Sequence, residues 1–202
     1  MSLYKRREKF EGFSMRLGRG FARLGLSPNH WTLLSIVFVA AAFWFLAKEQ
    51  FLLAGGLFLV SVFLDIVDGA VARATGKATR RGAYLDTIMD RYVEGVIVFG
   101  LLFAALPRFI YPAYIWIFLY LFGALMTTYA KAAAKEKRLI EKELKGGLLE
   151  RAERVLMLCG GIVLAFFNPF YLTSVIVILA IMTNISAIER IAIAWGMGKH
   201  SE

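Results

Sequence analysis

Apolar residues gather along the chain into six long blocks parted by short polar stretches, at Trp31–Ala47, Phe51–Ala72, Tyr84–Leu106, Tyr111–Ala133, Leu148–Phe167 and Phe170–Ala194. A helix rises 1.5 Å per residue, so about 20 apolar residues cross the roughly 30 Å hydrocarbon layer of a bilayer. Each block is close to that length. Lipid offers no partner for an open backbone N–H or C=O, which restricts spanning segments to helices and closed barrels. The ten-residue alternating units of a barrel strand are absent from the sequence. The pattern therefore predicts an all-α, polytopic membrane protein with six transmembrane helices.

Ahead of the first block the period changes. Phe10, Phe13, Leu17, Phe21 and Leu24 recur every three or four residues, flanked by Lys9, Arg16, Arg19 and Arg23. This stripe predicts an amphipathic helix over residues 1–26 that lies on the membrane surface, with a disordered basic arm as the competing reading. Gly25 and Ser27-Pro28-Asn29 then supply a helix stop and a turn. A charged start followed by a block of spanning length disfavours a cleaved secretory signal. Little chain is left for a soluble domain, and residues 1–202 are expected to form one membrane domain.

Composition agrees: 59% of positions are hydrophobic and mean hydropathy is +0.63, against roughly 45–50% apolar in soluble domains. The net charge of +9 raises the question of nucleic acid. The cations, however, sit at block ends and form no soluble patch interleaved with aromatics, so membrane topology explains them better and no nucleic-acid partner is expected. With a cytoplasmic N-terminus, all of the 24 Lys and Arg residues except Lys48 and Arg108 fall on or near the inner side. That asymmetry predicts a multi-pass plasma-membrane protein with both termini cytoplasmic. The single cysteine, Cys159, excludes an internal disulfide and reads as a small apolar packing residue.

Charged residues inside the apolar blocks carry the chemistry. Asp65 and Asp68 share one helix face near the end of the second block, and Asp86 and Asp90 repeat the arrangement in the third. A carboxylate at the centre of a bilayer costs about 2.5–3.5 kcal/mol on the insertion scale, so several of them demand a reason. Antiparallel packing would aim all four at one cavity, where their repulsion calls for cations. Oxygen ligands without Cys or paired His favour magnesium, manganese or calcium over zinc, and two divalent ions suit the charge count and a phosphoryl-transfer reaction. Two other readings remain at this point: a buried salt-bridge network with Arg73, Arg80, Arg81 and Arg91, and a cation path in a transporter. The absence of internal repeats argues against a transporter built from inverted halves.

The spacing Asp65-x-x-Asp68-Gly69-x-x-Ala72-Arg73, eight residues, then Gly82-x-x-x-Asp86-x-x-x-Asp90 resembles the signature of CDP-alcohol phosphotransferases at every defining position. The resemblance implies that Asp65, Asp68 and Asp86 hold a pair of magnesium ions, for which manganese can substitute. It implies that Asp90 joins the second metal and serves as general base. It places a CDP-lipid against Gly69, Ala72, Arg73, Thr79 and Gly82, the glycines allowing close approach and Arg73 gripping a phosphate oxygen. Pro28-Asn29-His30-Trp31-Thr32 is similar to the family's Pro-Asn-x-x-Thr segment, which adds Asn29 and Thr32 to the nucleotide pocket. The family likeness further implies a homodimer and an active site on the cytoplasmic face.

Between the fourth and fifth blocks lie Lys131, Lys135, Lys137, Arg138, Lys142 and Lys145, then Gly146-Gly147-Leu148-Leu149-Glu150-Arg151-Ala152-Glu153-Arg154. Most of these are a solvated positive-inside loop. Lys131 and Arg154 stand at block ends and Arg190 lies deep in the last block, and three cations brought near one cavity imply an anionic acceptor. Tyr129-x-Lys131 with the Gly-Gly-Leu-Leu-Glu-Arg-Ala-Glu-Arg stretch resembles the branch that makes phosphatidylinositol phosphate, or its archaeal counterpart, from inositol 1-phosphate. In that branch Lys131, Arg154 and Arg190 bind the acceptor's phosphate. Glycerol 3-phosphate is the next acceptor, with serine or inositol behind it. CDP-diacylglycerol and CDP-archaeol both remain open as donors, since tail pockets are generic apolar surface.

Overall fold

A computed structural model describes residues 3–140 and 149–198. The side chains of Lys9, Phe10 and Phe13 in the predicted stripe lie outside that description, as do Lys142, Lys145, Gly146, Gly147 and Leu148. Seven helices run through the described residues: α1 (Leu3–Ala22), α2 (Pro28–Ala47), α3 (Phe51–Ala74), α4 (Arg80–Leu101), α5 (Ala113–Glu136), α6 (Arg151–Leu164) and α7 (Pro169–Gly198). Among those residues there is no strand, only an isolated bridge between Phe109 and Tyr111. The all-α expectation holds.

Four helices, α2, α3, α5 and α7, are long and apolar enough to cross a membrane. The sequence pattern predicts six such segments, and the difference has a physical cause. Helix α4 occupies the third block but carries Arg80, Arg81, Asp86, Asp90, Arg91 and Glu94, which dilute its apolar content. Helix α6 spans only 14 residues, because it loses three residues of the fifth block at each end, its N-cap at Glu150 and its last residue at Leu164.

The helix boundaries follow from capping chemistry. Gly25 ends the turn after α1 with φ +73°, a conformation that L side chains resist. Pro28 opens α2, where its missing N–H costs nothing, and the N–H of His30 donates to the Ser27 carbonyl at 3.0 Å. Gly76, at φ +67°, closes α3, and the Lys77 N–H donates back to the Ala72 carbonyl at 3.0 Å, a Schellman-type end. At the start of α6, Glu150 and Glu153 form a reciprocal capping box.

The chain divides into two compact units, residues 1–43 with 56–97, and residues 44–55 with 98–202. In the first, Leu17 and Phe21 of α1 pack on a core of Trp31, Leu64, Val67 and Val71. Phe21 meets Trp31 edge-on at 5.3 Å between ring centres. Gly18 makes this seat possible, since a Cβ there would collide with the Ala70 carbonyl on α3. In the second unit α7 packs against both α5 and α6. Gly123 brings α5 against α7, where a Cβ would lie 2.9 Å from the Asn184 backbone nitrogen, and the Asn184 side-chain amide donates to the Leu119 carbonyl at 2.9 Å. Cys159 is buried with its thiol 3.5 Å from the Gly55 carbonyl, the packing role its surroundings predict.

Candidate active site

Helices α3 and α4 are joined by five residues, Thr75 to Thr79, so the last turns of one face the first turns of the other. Asp65 and Asp68, three apart on α3, share a face, and Asp86 comes to them from α4. One carboxylate oxygen from each of the three lies within 4.8 Å of the other two. Burial grades across the group: Asp68 is 5% exposed, Asp65 is half-buried and Asp86 is open. The Thr32 hydroxyl donates to Asp68 at 2.6 Å and so orients the most buried carboxylate. Oxygen ligands about 2.0–2.6 Å from one hard cation stand within roughly 4–5 Å of each other, and this trio has that spacing. The donor set fits a divalent cation of the magnesium, manganese or calcium kind.

The sequence spacing groups four aspartates, whereas the close cluster holds three. Asp90 stands one turn further along α4, half-buried. Beyond it the Arg91 guanidinium pairs with Glu94 at 2.9 Å, and Glu94 is only 2% exposed. Sequence reasoning passed over this pair, although Arg91-x-x-Glu94 at helical spacing inside an apolar stretch is its signal.

A cavity of about 430 Å³ opens within the first unit, and Asp68 and Asp86 stand on its wall. All seven residues predicted to hold the CDP-lipid line it: Asn29, Thr32, Gly69, Ala72, Arg73, Thr79 and Gly82. Their parts differ from simple contact. Thr79 caps α4, its hydroxyl accepting the Gly82 N–H at 3.0 Å, and a Cβ on Gly82 would crowd that hydroxyl at 3.1 Å. The Arg73 guanidinium lies back along the helix beside Gly69, 3.4 Å from where a Cβ on that glycine would stand. Lys77, missed in the sequence, also lines the cavity, directly after the left-handed Gly76. The site thus sets oxygen ligands for a cation beside two basic side chains, a surface suited to a diphosphate.

The second unit gathers the other predicted cations. Arg154 of α6, 2% exposed, donates to the Thr127 hydroxyl at 3.4 Å, and Arg190 of α7 donates to the Thr127 carbonyl at 2.9 Å. Lys131 follows Thr127 by one turn on α5 and is half-buried. One position on α5 therefore draws two buried or half-buried guanidinium groups together with an ammonium close by.

An all-helical protein with apolar spanning helices and a carboxylate cluster fit for a divalent cation is, as a class, a membrane enzyme of phosphoryl chemistry. The model of the CDP-alcohol phosphatidyltransferase family matches residues 26–186, and the chain belongs to that family. It is similar to the archaetidylinositol phosphate synthase of Pyrococcus horikoshii, with 32% identity over 94% of each chain. Its fold is similar to the crystal structure of Mycobacterium tuberculosis phosphatidylinositol phosphate synthase with CDP-DAG bound, at 29% identity and a TM-score of 0.77, covering 90% of this chain and 93% of that one. The same mycobacterial enzyme in complex with manganese and citrate gives a TM-score of 0.78 at 29% identity, covering 90% of this chain and 88% of that one. The chain is accordingly a transferase of phospholipid synthesis, and the cation-path alternative gives way to the enzyme.

Proposed function

We propose that this enzyme transfers the lipid-bearing phosphate of a CDP-lipid to inositol 1-phosphate and releases CMP. The observation that carries the acceptor assignment is the convergence of Arg154 and Arg190 on Thr127, with Lys131 one turn away. Guanidinium and ammonium groups gathered at one place suit a phosphate monoester, whose several oxygens accept charge-assisted hydrogen bonds. The names of the relatives, synthases of archaetidylinositol phosphate and phosphatidylinositol phosphate, support the same acceptor.

Asp65, Asp68 and Asp86 would hold magnesium, two ions with Asp90 as a ligand of the second, or manganese in its place. Such ions neutralise charge on a diphosphate and on the departing CMP. Arg73 and Lys77 bind phosphate oxygens of the donor, and Thr32 keeps Asp68 turned toward the cavity. Asn29, Gly69, Ala72, Thr79 and Gly82 form the wall on which the cytidine diphosphate rests. Asp90 takes the proton of the acceptor hydroxyl. The hydroxyl oxygen bonds to the lipid-bearing phosphorus while the bond from that phosphorus to the CMP oxygen breaks, and CMP leaves with the electron pair. In this reading six segments cross the membrane, α1 rests on its surface, the active site and both termini face the cytoplasm, and the protein works as a homodimer.

The test is CMP release from purified protein with magnesium, CDP-diacylglycerol or CDP-archaeol, and a panel of acceptors. Inositol 1-phosphate should outpace glycerol 3-phosphate, free inositol and serine, and EDTA should stop the reaction. Arg190→Ala should lower kcat/KM for inositol 1-phosphate by about 10- to 100-fold, the loss of one charge-assisted contact. Equal use of free inositol would overturn the phosphate pocket.

A further inference from the structure

Arg73 lines the cavity, yet one side of its guanidinium is already held from outside it. Its Nη2 donates to the Ser14 hydroxyl at 2.9 Å. Ser14 belongs to α1, is only 6% exposed, and stands apart from the cavity lining. One helical turn later Gly18 lets α1 touch the Ala70 carbonyl, and Leu17 and Phe21 pack on Trp31, Leu64, Val67 and Val71. The helix is seated by these contacts in the turns that follow the serine. On α3 the guanidinium lies within 3.4 Å of the space that a Cβ on Gly69 would take. The serine hydroxyl thus anchors one end of a guanidinium that lies along α3 beside Gly69.

We propose that Ser14 is a positioning residue for Arg73, so that helix α1 sets the affinity of the donor site. The inference rests on the reading of Arg73 as a ligand of the CDP-lipid phosphates. An arginine side chain free to explore its rotamers loses conformational entropy when it binds, and a buried partner that fixes it beforehand removes part of that cost. Nη2 offers a second N–H, and Nη1 and Nε theirs, so the bond to Ser14 leaves donors for phosphate. Because Gly18, Leu17 and Phe21 hold α1 independently, deleting the hydroxyl separates positioning from docking.

Four proteins test this, wild type, Ser14→Ala, Arg73→Ala and the double variant, with CMP release measured while CDP-diacylglycerol and inositol 1-phosphate are varied in turn. Ser14→Ala should raise KM for the donor by about 5- to 50-fold, with kcat and the acceptor KM near wild type. Ser14→Thr, which keeps the hydroxyl, should restore most of the loss. In the Arg73→Ala background the serine change should add nothing, since its effect passes through the arginine. A wild-type donor KM in Ser14→Ala, or a full effect that persists without Arg73, overturns the inference. A merely structural serine would lower thermal stability and act equally in both backgrounds, which also counts against it. If Arg73→Ala itself leaves donor KM unchanged, the reading of Arg73 as a donor ligand has failed, a result distinct from failure at Ser14.

Discussion

Asp90 differs from its three companions by position more than by chemistry. It lies one turn beyond Asp86, outside the group whose oxygens share 4.8 Å. In the proposed mechanism this carboxylate, set apart from the other three, takes the proton of the acceptor hydroxyl. Replacement by asparagine keeps the shape and removes the basicity. CMP release should then fall by about 10²- to 10⁴-fold in kcat, while CDP-lipid KM stays near wild type. Near-normal turnover would remove the base role. The aspartates were legible in the sequence because a charge in an apolar helix is costly and therefore conspicuous. Ser14 was not, since a lone serine in a helix rich in charge has no period or cost to mark it, and its partner lies 59 positions away. The capping of α4 by Thr79 was equally hidden, although the residue itself was found through the family motif.

At the scale of elements, the six apolar blocks located every helix after α1, and hydropathy failed at α4 and α6 for different reasons. Charged residues lower the apolar content of α4, and α6 is trimmed at both ends, by the capping box at Glu150 and Glu153 and by its stop at Leu164. Glycines gave no such guidance, because composition does not say which of them faces a neighbour. Gly123 and Gly160 make the contrast testable. A Cβ at Gly123 would strike the Thr183 hydroxyl and approach the Asn184 amide nitrogen to 2.7 Å, whereas one at Gly160 meets nothing within 4 Å. Gly123→Ala should therefore separate α5 from α7 and cost about 1–3 kcal/mol, the usual toll of overpacking. Gly160→Ala should leave stability unchanged or raise it by up to about 1 kcal/mol through helix propensity. Thermal denaturation of the two purified variants in detergent checks the pair, and equal behaviour would show that the glycine at 123 is no packing device.

For the whole molecule, the distribution of charge predicts an orientation in a form that can be measured. All 24 Lys and Arg residues but Lys48 and Arg108 lie on one side when six segments cross and the N-terminus is cytoplasmic. Of the two exceptions, Lys48 stacks over the Trp44 ring at 5.3 Å, and Arg108 lies in the connection between α4 and α5. Lys77 lies at the opposite end of α3 from Lys48 and lines the cavity. Cys159 is the one native cysteine and is 5% exposed, so its replacement by alanine gives a silent background for labelling. In that background Lys48→Cys and Arg108→Cys should react in intact cells with a membrane-impermeant maleimide. Lys77→Cys should react only after the inner face is opened, and CDP should slow that reaction by occupying the cavity. Labelling of Lys77→Cys from outside would put the donor site on the outer face and overturn the proposed orientation, and the Arg108→Cys result decides whether α4 crosses the bilayer: labelling from outside means that it does, labelling only from inside that it does not.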